Sequence, residues 1–178
     1  MRIITIPGIY GSGDAHWQSL WEKTDPSMVR FQPADWDRPL LADWISALEQ
    51  KVREAPDPPV LVAHSLGCLL VAHWATRTSM PIRGALLVSV PDPEGPNFPL
   101  EARSFAEVPR SRLPFPALVV SSQDDPYGSQ PYARATAEQW GAAFVAVGNH
   151  GHINASSGLG EWHYGRGVLD AFVAGLVR

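Results

Sequence analysis

Residues 59–70 read Pro-Val-Leu-Val-Ala-His-Ser-Leu-Gly-Cys-Leu-Leu, and this stretch decides the fold prediction. Its apolar run predicts a buried strand over 60–63, and the pattern after Ser65 predicts a helix over 66–78. A serine between such a strand and helix lies on a sharp, strained turn that needs small residues on both sides. Gly67 meets this need, and Ala63 adds one methyl group to the usual Gly-x-Ser-x-Gly pattern. Alone the pattern is weak, because many serines precede helices without any such role.

The rest of the chain alternates between strand-like and helix-like segments. Apolar runs predict six strands, over residues 3–6, 28–32, 60–63, 84–90, 117–121 and 143–147. Helical spacing predicts five helices, over residues 15–23, 40–54, 66–78, 130–140 and 160–177, the first with Asp14 as its N-cap. Continuous apolar strands joined by helices are typical of a parallel sheet buried on both faces. We therefore predict a single α/β domain over 1–178, a three-layer, doubly wound, mostly parallel sheet of about six strands.

Composition narrows the classes of function. The formal net charge is −4 and no long run has one sign, so we expect no nucleic acid and no membrane as partner. The single cysteine, Cys68, excludes an internal disulfide and a multi-cysteine zinc site. The apolar stretch at the start is too short for a signal peptide, and no run approaches about 18 apolar residues. We therefore expect a soluble, cytoplasmic protein.

Polar groups follow three of the predicted strands directly. Ser65 follows the third strand, Asp124 and Asp125 follow the fifth, and His150 and His152 follow the sixth. Ligand-binding loops of doubly wound sheets lie at the carboxyl ends of the strands, so these groups should meet at one edge. Their order along the chain, Ser, Asp, His, is that of α/β-hydrolases.

These residue types fit nucleophilic catalysis. A serine hydroxyl is a poor nucleophile at neutral pH, so a histidine must accept its proton while an aspartate orients the imidazole. Backbone N–H groups must then hold the oxyanion, and we expect one from Leu66 and one from the glycine-rich loop 7–13. Within that loop Ile9 is the first candidate donor and Tyr10 the second. This chemistry requires no cofactor and no metal.

Each feature also has a simpler interpretation. Asp-Asp-Pro is a common turn, and a glycine-flanked histidine pair is often a surface loop. The loop 8–13 could bind phosphate, but it lacks the lysine of a P-loop and the full dinucleotide fingerprint. All of these features stand at the expected ends of the expected elements and in the expected order, which favours the catalytic interpretation.

Four blocks of the chain resemble a known family, the small α/β-fold serine hydrolases akin to retinoblastoma-binding protein nine and its bacterial relatives. The first block is Pro-Gly-Ile-Tyr-Gly-Ser at 7–12, followed by His16-Trp17-Gln18. The others are His-Ser-Leu-Gly at 64–67, Ser-Gln-Asp-Asp-Pro-Tyr at 122–127, and Gly-His-Ile-Asn at 151–154 with Ser157-Gly158 and Glu161-Trp162 behind it. They run from one end of the chain to the other, so the resemblance covers all of it.

The resemblance resolves choices that the residues leave open. It implies Asp125 as the acid and His152 as the base, with Asp124 and His150 as neighbours that support or tune them. It implies a reduced α/β-hydrolase fold with strand order 2-1-3-4-5-6. Our first hypothesis is therefore a carboxylesterase-like serine hydrolase that acts on small carboxylic esters, or on amides or thioesters, through an acyl-enzyme.

The retinoblastoma-type partner is not carried over from this resemblance. That partner motif has the form Leu-x-Cys-x-Glu. Here the only cysteine lies in Leu-Gly-Cys-Leu-Leu at 66–70, which lacks the glutamate and falls in a helix predicted to be buried. We therefore expect a small-molecule acyl substrate as the partner of this chain.

Several further residues are candidates for the substrate site. Tyr10, His16 and Tyr127 are expected to bind substrate, and Phe98 and Trp162 to wall the site. The irregular segment 91–116 is a candidate cap over it. His64 precedes the nucleophile and should point away from it on the tight turn, so a structural role is favoured.

Two other functions compete with hydrolysis by serine. One is a binding protein that keeps the hydrolase fold with little or no turnover, since fold alone does not prove function. The other is a metal-dependent hydrolase that uses residues of the two pairs Asp124, Asp125 and His150, His152. The second leaves the Ser65 turn without a purpose.

Overall fold

The computed structural model describes residues 1–176 of the chain and contains a six-stranded sheet with helices on both faces. The strands are β1 (Ile3–Ile6), β2 (Met28–Arg30), β3 (Val60–His64), β4 (Gly84–Val88), β5 (Ala117–Ser121) and β6 (Ala143–Ala146). The helices are α1 (Trp17–Thr24), α2 (Leu41–Arg53), α3 (Leu66–Ala75), α4 (Gln130–Trp140) and α5 (His163–Gly175). Every pairing is parallel, in the order β2-β1-β3-β4-β5-β6. This confirms the predicted fold class and strand order.

The predicted elements all occur; β1, β5 and α4 have the predicted bounds, and the others have shifted ends. The last helix was predicted to reach Val177, which lies outside the described residues; within them α5 ends at Gly175. The predicted N-cap of α1 is wrong: His16, not Asp14, caps the helix, and its imidazole Nδ1 accepts the N–H of Gln18 at 3.2 Å. A turn closed by the His16 N–H on the Gly13 carbonyl delays the helix, so Asp14 stands two residues too early.

The sheet has a separate core on each face, because successive strand residues point to opposite sides. One core packs under α2, α3 and α4 and includes Ile4, Leu61 and Leu87. The other packs under α1 and α5 and includes Val60 and Val88. Full burial of each large aliphatic side chain stabilises the fold by about 1.5–3 kcal/mol. The strands are therefore firmly held, and they fix where the loops at their carboxyl ends begin.

Backbone strain concentrates at the carboxyl edge of the sheet. Tyr10, Ser65, Ser89 and Ile153 have φ angles of 68°, 55°, 57° and 46°, and they lie in the loops after β1, β3, β4 and β6. A non-glycine residue in this left-handed region costs about 1–3 kcal/mol and persists only where its surroundings hold it. Such outliers cluster at functional sites, so this edge is the place to search for one.

The helices of the described chain are short. The longest of them, α2 and α5, have 13 residues each, whereas a membrane span needs about 20. Within residues 1–176 no helix has both the length and the apolar character to cross a bilayer.

Candidate active site

Ser65 occupies the turn between β3 and α3, with φ 55° and ψ −124°. The turn is closely packed: a Cβ added at Gly67 would collide with the carbonyl oxygen of Ile6. Ala63 is completely buried in β3 between Ile6 and Leu87, so the sheet accommodates its extra methyl group. The local geometry is that of a strained strand-to-helix turn that presents a serine at the sheet edge.

Three of the predicted site residues lie in one hydrogen-bonded line. The Oγ of Ser65 is 2.8 Å from Nε2 of His152, and Nδ1 of His152 is 2.8 and 3.0 Å from the two carboxylate oxygens of Asp125. The residues are only 9%, 8% and 8% exposed, in the order Ser65, His152, Asp125. The carboxylate accepts the Nδ1–H, which leaves Nε2 free to accept the serine proton.

Tyr127 supports this line from the acid side. Its backbone N–H donates to Oδ1 of Asp125 at 2.9 Å, which fixes the carboxylate. Its ring lies 4.4 Å from the His152 ring, centroid to centroid, and shields one side of the imidazole. Tyr127 therefore touches both partners of the serine.

Asp124 and His150 stand outside the line and join the acid loop to the base loop. Oδ1 of Asp124 accepts from the Ser122 hydroxyl at 2.7 Å and from the Gly151 N–H at 2.8 Å. These hydrogen bonds lower the pKa of the Asp124 carboxyl. The N–H of His150 donates to the Ser122 hydroxyl at 2.8 Å. Among residues 1–176 no three His, Cys, Asp or Glu side chains converge as metal ligands.

Two backbone N–H groups next to the nucleophile are free to hold an oxyanion. In the described part of the chain the N–H groups of Ile9 and Leu66 donate to no other group, whereas the Tyr10 N–H is bonded to the Trp36 carbonyl at 2.9 Å. A Cβ added at Gly8 would lie 2.8 Å from the Cβ of Ser65, so the loop runs directly against the serine. This favours Ile9 over Tyr10 as the donor from that loop.

A cavity of about 260 Å³ opens onto Ser65. Tyr10, His16 and Tyr127, the predicted substrate-binding residues, all line it. The segment 91–116, irregular apart from a 3₁₀ helix over Leu100–Phe105, contributes apolar wall residues: Pro91, Phe98, Pro99 and Ala102. Within residues 1–176 no lysine, arginine, aspartate or glutamate side chain lines the cavity.

The predicted placement of Trp162 in the wall of the site is wrong. Its ring packs on Trp17 and Trp21 in the core under α1 and α5.

Two neutral imidazoles lie behind His152. His64 is buried, and its Nε2 is 2.8 Å from the carbonyl oxygen of His152, so it donates to the backbone of the base. Burial lowers the pKa of His64 well below its usual range. Burial, with the nearby charge of Arg30 second, lowers the pKa of His16 to about 3. Both rings therefore stay uncharged, and neither adds a positive charge beside His152.

Sequence reasoning missed Gln18 and the indole N–H of Trp17. Both make hydrogen bonds outside their own helix, Gln18 to Ser12 and to Val62, and Trp17 to Ile153. The only signal was their place in the His16-Trp17-Gln18 block of the resemblance, because nothing in the helical pattern points to such partners.

The chain is similar to known proteins over nearly its whole length. A family model described as serine hydrolase matches residues 3–171. A YdeN-like hydrolase from Pectobacterium atrosepticum is 31% identical, with a TM-score of 0.89 over 99% of this chain and 92% of that one. No curated protein matches at a significant level.

Other solved structures share the fold at lower identity. The ydeN gene product of B. subtilis is 20% identical, with a TM-score of 0.79 over 97% of this chain and 98% of that one. A thermophilic esterase from Thermogutta terrifontis is 13% identical, with a TM-score of 0.74 over 100% and 91% of the two chains. With the family match across nearly all of the sequence, these findings establish that the chain belongs to the serine hydrolase family.

Proposed function

We propose that this serine hydrolase cleaves small, uncharged carboxylic esters through an acyl-enzyme on Ser65. The observation that carries the proposal is the continuous line from Ser65 Oγ through His152 to Asp125, with 2.8 Å at each joining contact. A serine without a base in reach is a weak nucleophile, whereas this serine has its base at hydrogen-bond distance.

The first half-reaction acylates the serine. Nε2 of His152 accepts the Ser65 proton as Oγ bonds to the ester carbonyl carbon, and the carbonyl oxygen becomes an oxyanion that accepts from the Ile9 and Leu66 N–H groups. Asp125 stabilises the imidazolium. The bond from carbon to the leaving oxygen then breaks, and the imidazolium donates its proton to that oxygen, which releases an alcohol.

The second half-reaction restores the serine. A water molecule takes the place of the alcohol, and Nε2 of His152 accepts one of its protons as the water oxygen attacks the acyl carbon. Collapse of the second oxyanion breaks the bond to Oγ of Ser65, which regains a proton from the imidazolium. The acid product leaves.

The cavity supports small, neutral acyl groups as substrates. Its volume of about 260 Å³ lies just below the range of roughly 300–1,000 Å³ that is typical of pockets for drug-sized ligands. The walls that the described residues form carry no lysine, arginine, aspartate or glutamate, and a charged substrate would lose its hydration there without gaining an oppositely charged partner. Tyr10, Phe98 and Pro99 instead offer apolar surface to a short alkyl or aryl group.

Fluorophosphonate labelling of the wild type and Ser65→Ala, read by intact mass, tests the proposal. Turnover of p-nitrophenyl acetate and butyrate is measured beside it. We expect one adduct that is lost in Ser65→Ala, and a loss of kcat of about 10⁴-fold or more in that variant and in His152→Ala. Absence of an adduct on folded wild-type protein would contradict the proposal and favour a binding protein with the hydrolase fold.

A further inference from the structure

The first turn of α1, with its N-cap His16, contacts two of the loops that meet at Ser65 and the strand β3 that ends there. Its residues His16, Trp17 and Gln18 are buried, at 4%, 1% and 0% exposure. Trp17 and Gln18 do not line the cavity, so they cannot touch a substrate held there. Any effect they have on the reaction must act through the groups that they hold.

Gln18 joins the oxyanion loop, residues 7–13, to β3, the strand that ends directly before Ser65. Its Oε1 accepts from the Ser12 hydroxyl at 2.7 Å, and its Nε2 donates to the carbonyl of Val62 in β3 at 3.0 Å. The carbonyl of Ser12 in turn accepts from the Ser19 hydroxyl and from Nη1 of Arg30, each at 2.8 Å. The loop that carries the Ile9 N–H is therefore held in register with Ser65 by a buried side chain.

Trp17 holds the base loop, residues 147–154, which carries His152. Its indole Nε1–H donates to the carbonyl of Ile153 at 2.8 Å, and both residues are buried. Ile153 directly follows His152 and has φ 46°, a conformation that a β-branched residue rarely adopts. Such a conformation persists only where other contacts hold it. The indole bond is one such contact, one residue from the imidazole.

His16 supports the base from behind. Its ring packs edge-on against the ring of His64, with centroids 4.7 Å apart, and His64 donates to the His152 carbonyl at 2.8 Å. The Ile153 carbonyl is thus fixed by Trp17. The His152 carbonyl is fixed by His64, whose ring packs on His16. Two consecutive peptide groups of the base loop are held on one side.

We propose that the first turn of α1 is a positioning clamp for the active site. Gln18 sets the oxyanion loop against β3, and Trp17 sets the loop that carries His152. The kinetic part of this inference rests on the proposed esterase function. A misplacement of about 1 Å in such a site can lower the rate by about 10²-fold, so the clamp predicts rate effects without direct contact.

Trp17→Phe tests the base-loop arm, with Trp21→Phe as its matched control. Trp21 lies one turn further along α1, its ring is 4.5 Å from that of Trp17, and its indole N–H also donates to a distant carbonyl, that of Glu161. We expect Trp17→Phe to lower kcat about tenfold or more with KM within about twofold. Trp21→Phe should keep kcat within about twofold of the wild type while losing a similar hydrogen bond.

Proton NMR gives a second readout that does not depend on turnover, the downfield resonance of the His152 Nδ1–H that is hydrogen-bonded to Asp125. We expect Trp17→Phe to shift or broaden this resonance and Trp21→Phe to leave it unchanged. Equal effects of the two variants, or none in either, would overturn the clamp. If the wild type shows no esterase turnover yet only Trp17→Phe moves the resonance, the clamp stands and the proposed function fails.

Gln18→Met and Ser12→Ala test the oxyanion-loop arm. Both should slow turnover and fluorophosphonate labelling in parallel, about tenfold for Gln18→Met, while the His152 resonance stays in place. Because both changes remove the same hydrogen bond, the double variant should be no slower than Gln18→Met alone. Additive losses would overturn this arm, and if Gln18→Met fails to fold, an unchanged rate in Ser12→Ala would overturn it.

Discussion

The catalytic loops and the cap segment both border the cavity, and they are held in different ways. The catalytic loops, at 7–16, 64–66, 121–127 and 147–154, are fixed by directional bonds between loops, such as Asp124 to Gly151 and His64 to His152. The cap segment, 91–116, reaches the cavity through the apolar side chains of Phe98, Pro99 and Ala102. Its backbone bonds are mostly short-range turns, such as that from Gly95 to Asp92.

This difference separates two properties of the enzyme. Hydrogen bonds are steep in distance and angle, so loops fixed by them hold reacting atoms to the accuracy that catalysis needs. Apolar packing is non-directional and tolerates changes of shape. The comparison therefore predicts that changes in the catalytic loops alter the rate, and changes in the cap segment alter which substrate fits.

The largest test sets two neighbouring aspartates against each other. Asp125→Asn replaces the acceptor of the His152 Nδ1–H with an amide and favours the wrong tautomer, so kcat should fall by about 10⁴-fold. Asp124→Asn keeps an oxygen that can accept from Ser122 and Gly151, so we expect less than about a tenfold loss. Steady-state kinetics on p-nitrophenyl acetate checks both, and comparable losses would remove the assignment of Asp125.

A change in the cap segment should move selectivity. Phe98→Ala enlarges the cavity wall, so the ratio of kcat/KM for butyrate over acetate esters should change by about tenfold, mainly through KM. Phe115→Ala is the matched control, since Phe115 is also half-buried in this segment and packs on the core without lining the cavity. If Phe98→Ala instead lowers kcat for both esters and leaves the ratio of their kcat/KM values unchanged, the cap segment does not control which substrate fits.

The smallest effect concerns stability in acid, because the site holds buried imidazoles and the cap segment holds no buried titratable group. The pKa of His16 is lowered from 6.5 to about 3 in the folded chain, so below pH 6.5 the unfolded chain binds the additional proton. Its stabilising contribution is complete above pH 6.5 and is lost as pH falls, by about 1.4 kcal/mol per pH unit.

Urea unfolding between pH 7 and pH 5 measures this slope. His16→Gln should reduce the slope of the free energy of unfolding against pH by the equivalent of about one bound proton. His163→Gln should leave the slope unchanged, since the His163 side chain is 88% exposed. An unchanged slope in His16→Gln would show that this imidazole is not held neutral in the folded protein.

Much of the fold was predictable because its signals are local. Strands such as β3 and β4 are apolar on both faces, which only a sheet covered on both sides satisfies. Ser65 was predictable for the same reason, because strand, turn and helix are adjacent in sequence. The prediction of Asp14 as N-cap was wrong because a turn at 13–16 delays the helix, and no composition rule reports that turn.

The rest of the site depends on contacts that sequence spacing does not encode. Asp124 and Asp125 both follow β5, and which one faces His152 depends on loop conformations, including glycines at φ 84° and 53° at Gly148 and Gly151. The residues alone left that choice open, and the resemblance was needed to make it. The partners of Gln18 lie six residues before it and 44 residues after it, beyond any helical pattern.

The bond between Trp17 and Ile153 spans 136 residues and so bears on the order of assembly. Helix α1 is synthesised early, but its partner emerges only after β1 to β6 have been made. Contacts distant in sequence form late because of the entropy of closing the loop between them. A nascent chain with β1 to β5 complete thus carries the serine on its turn while the indole still lacks its acceptor. We expect the protein to become chemically competent only when this 136-residue loop closes.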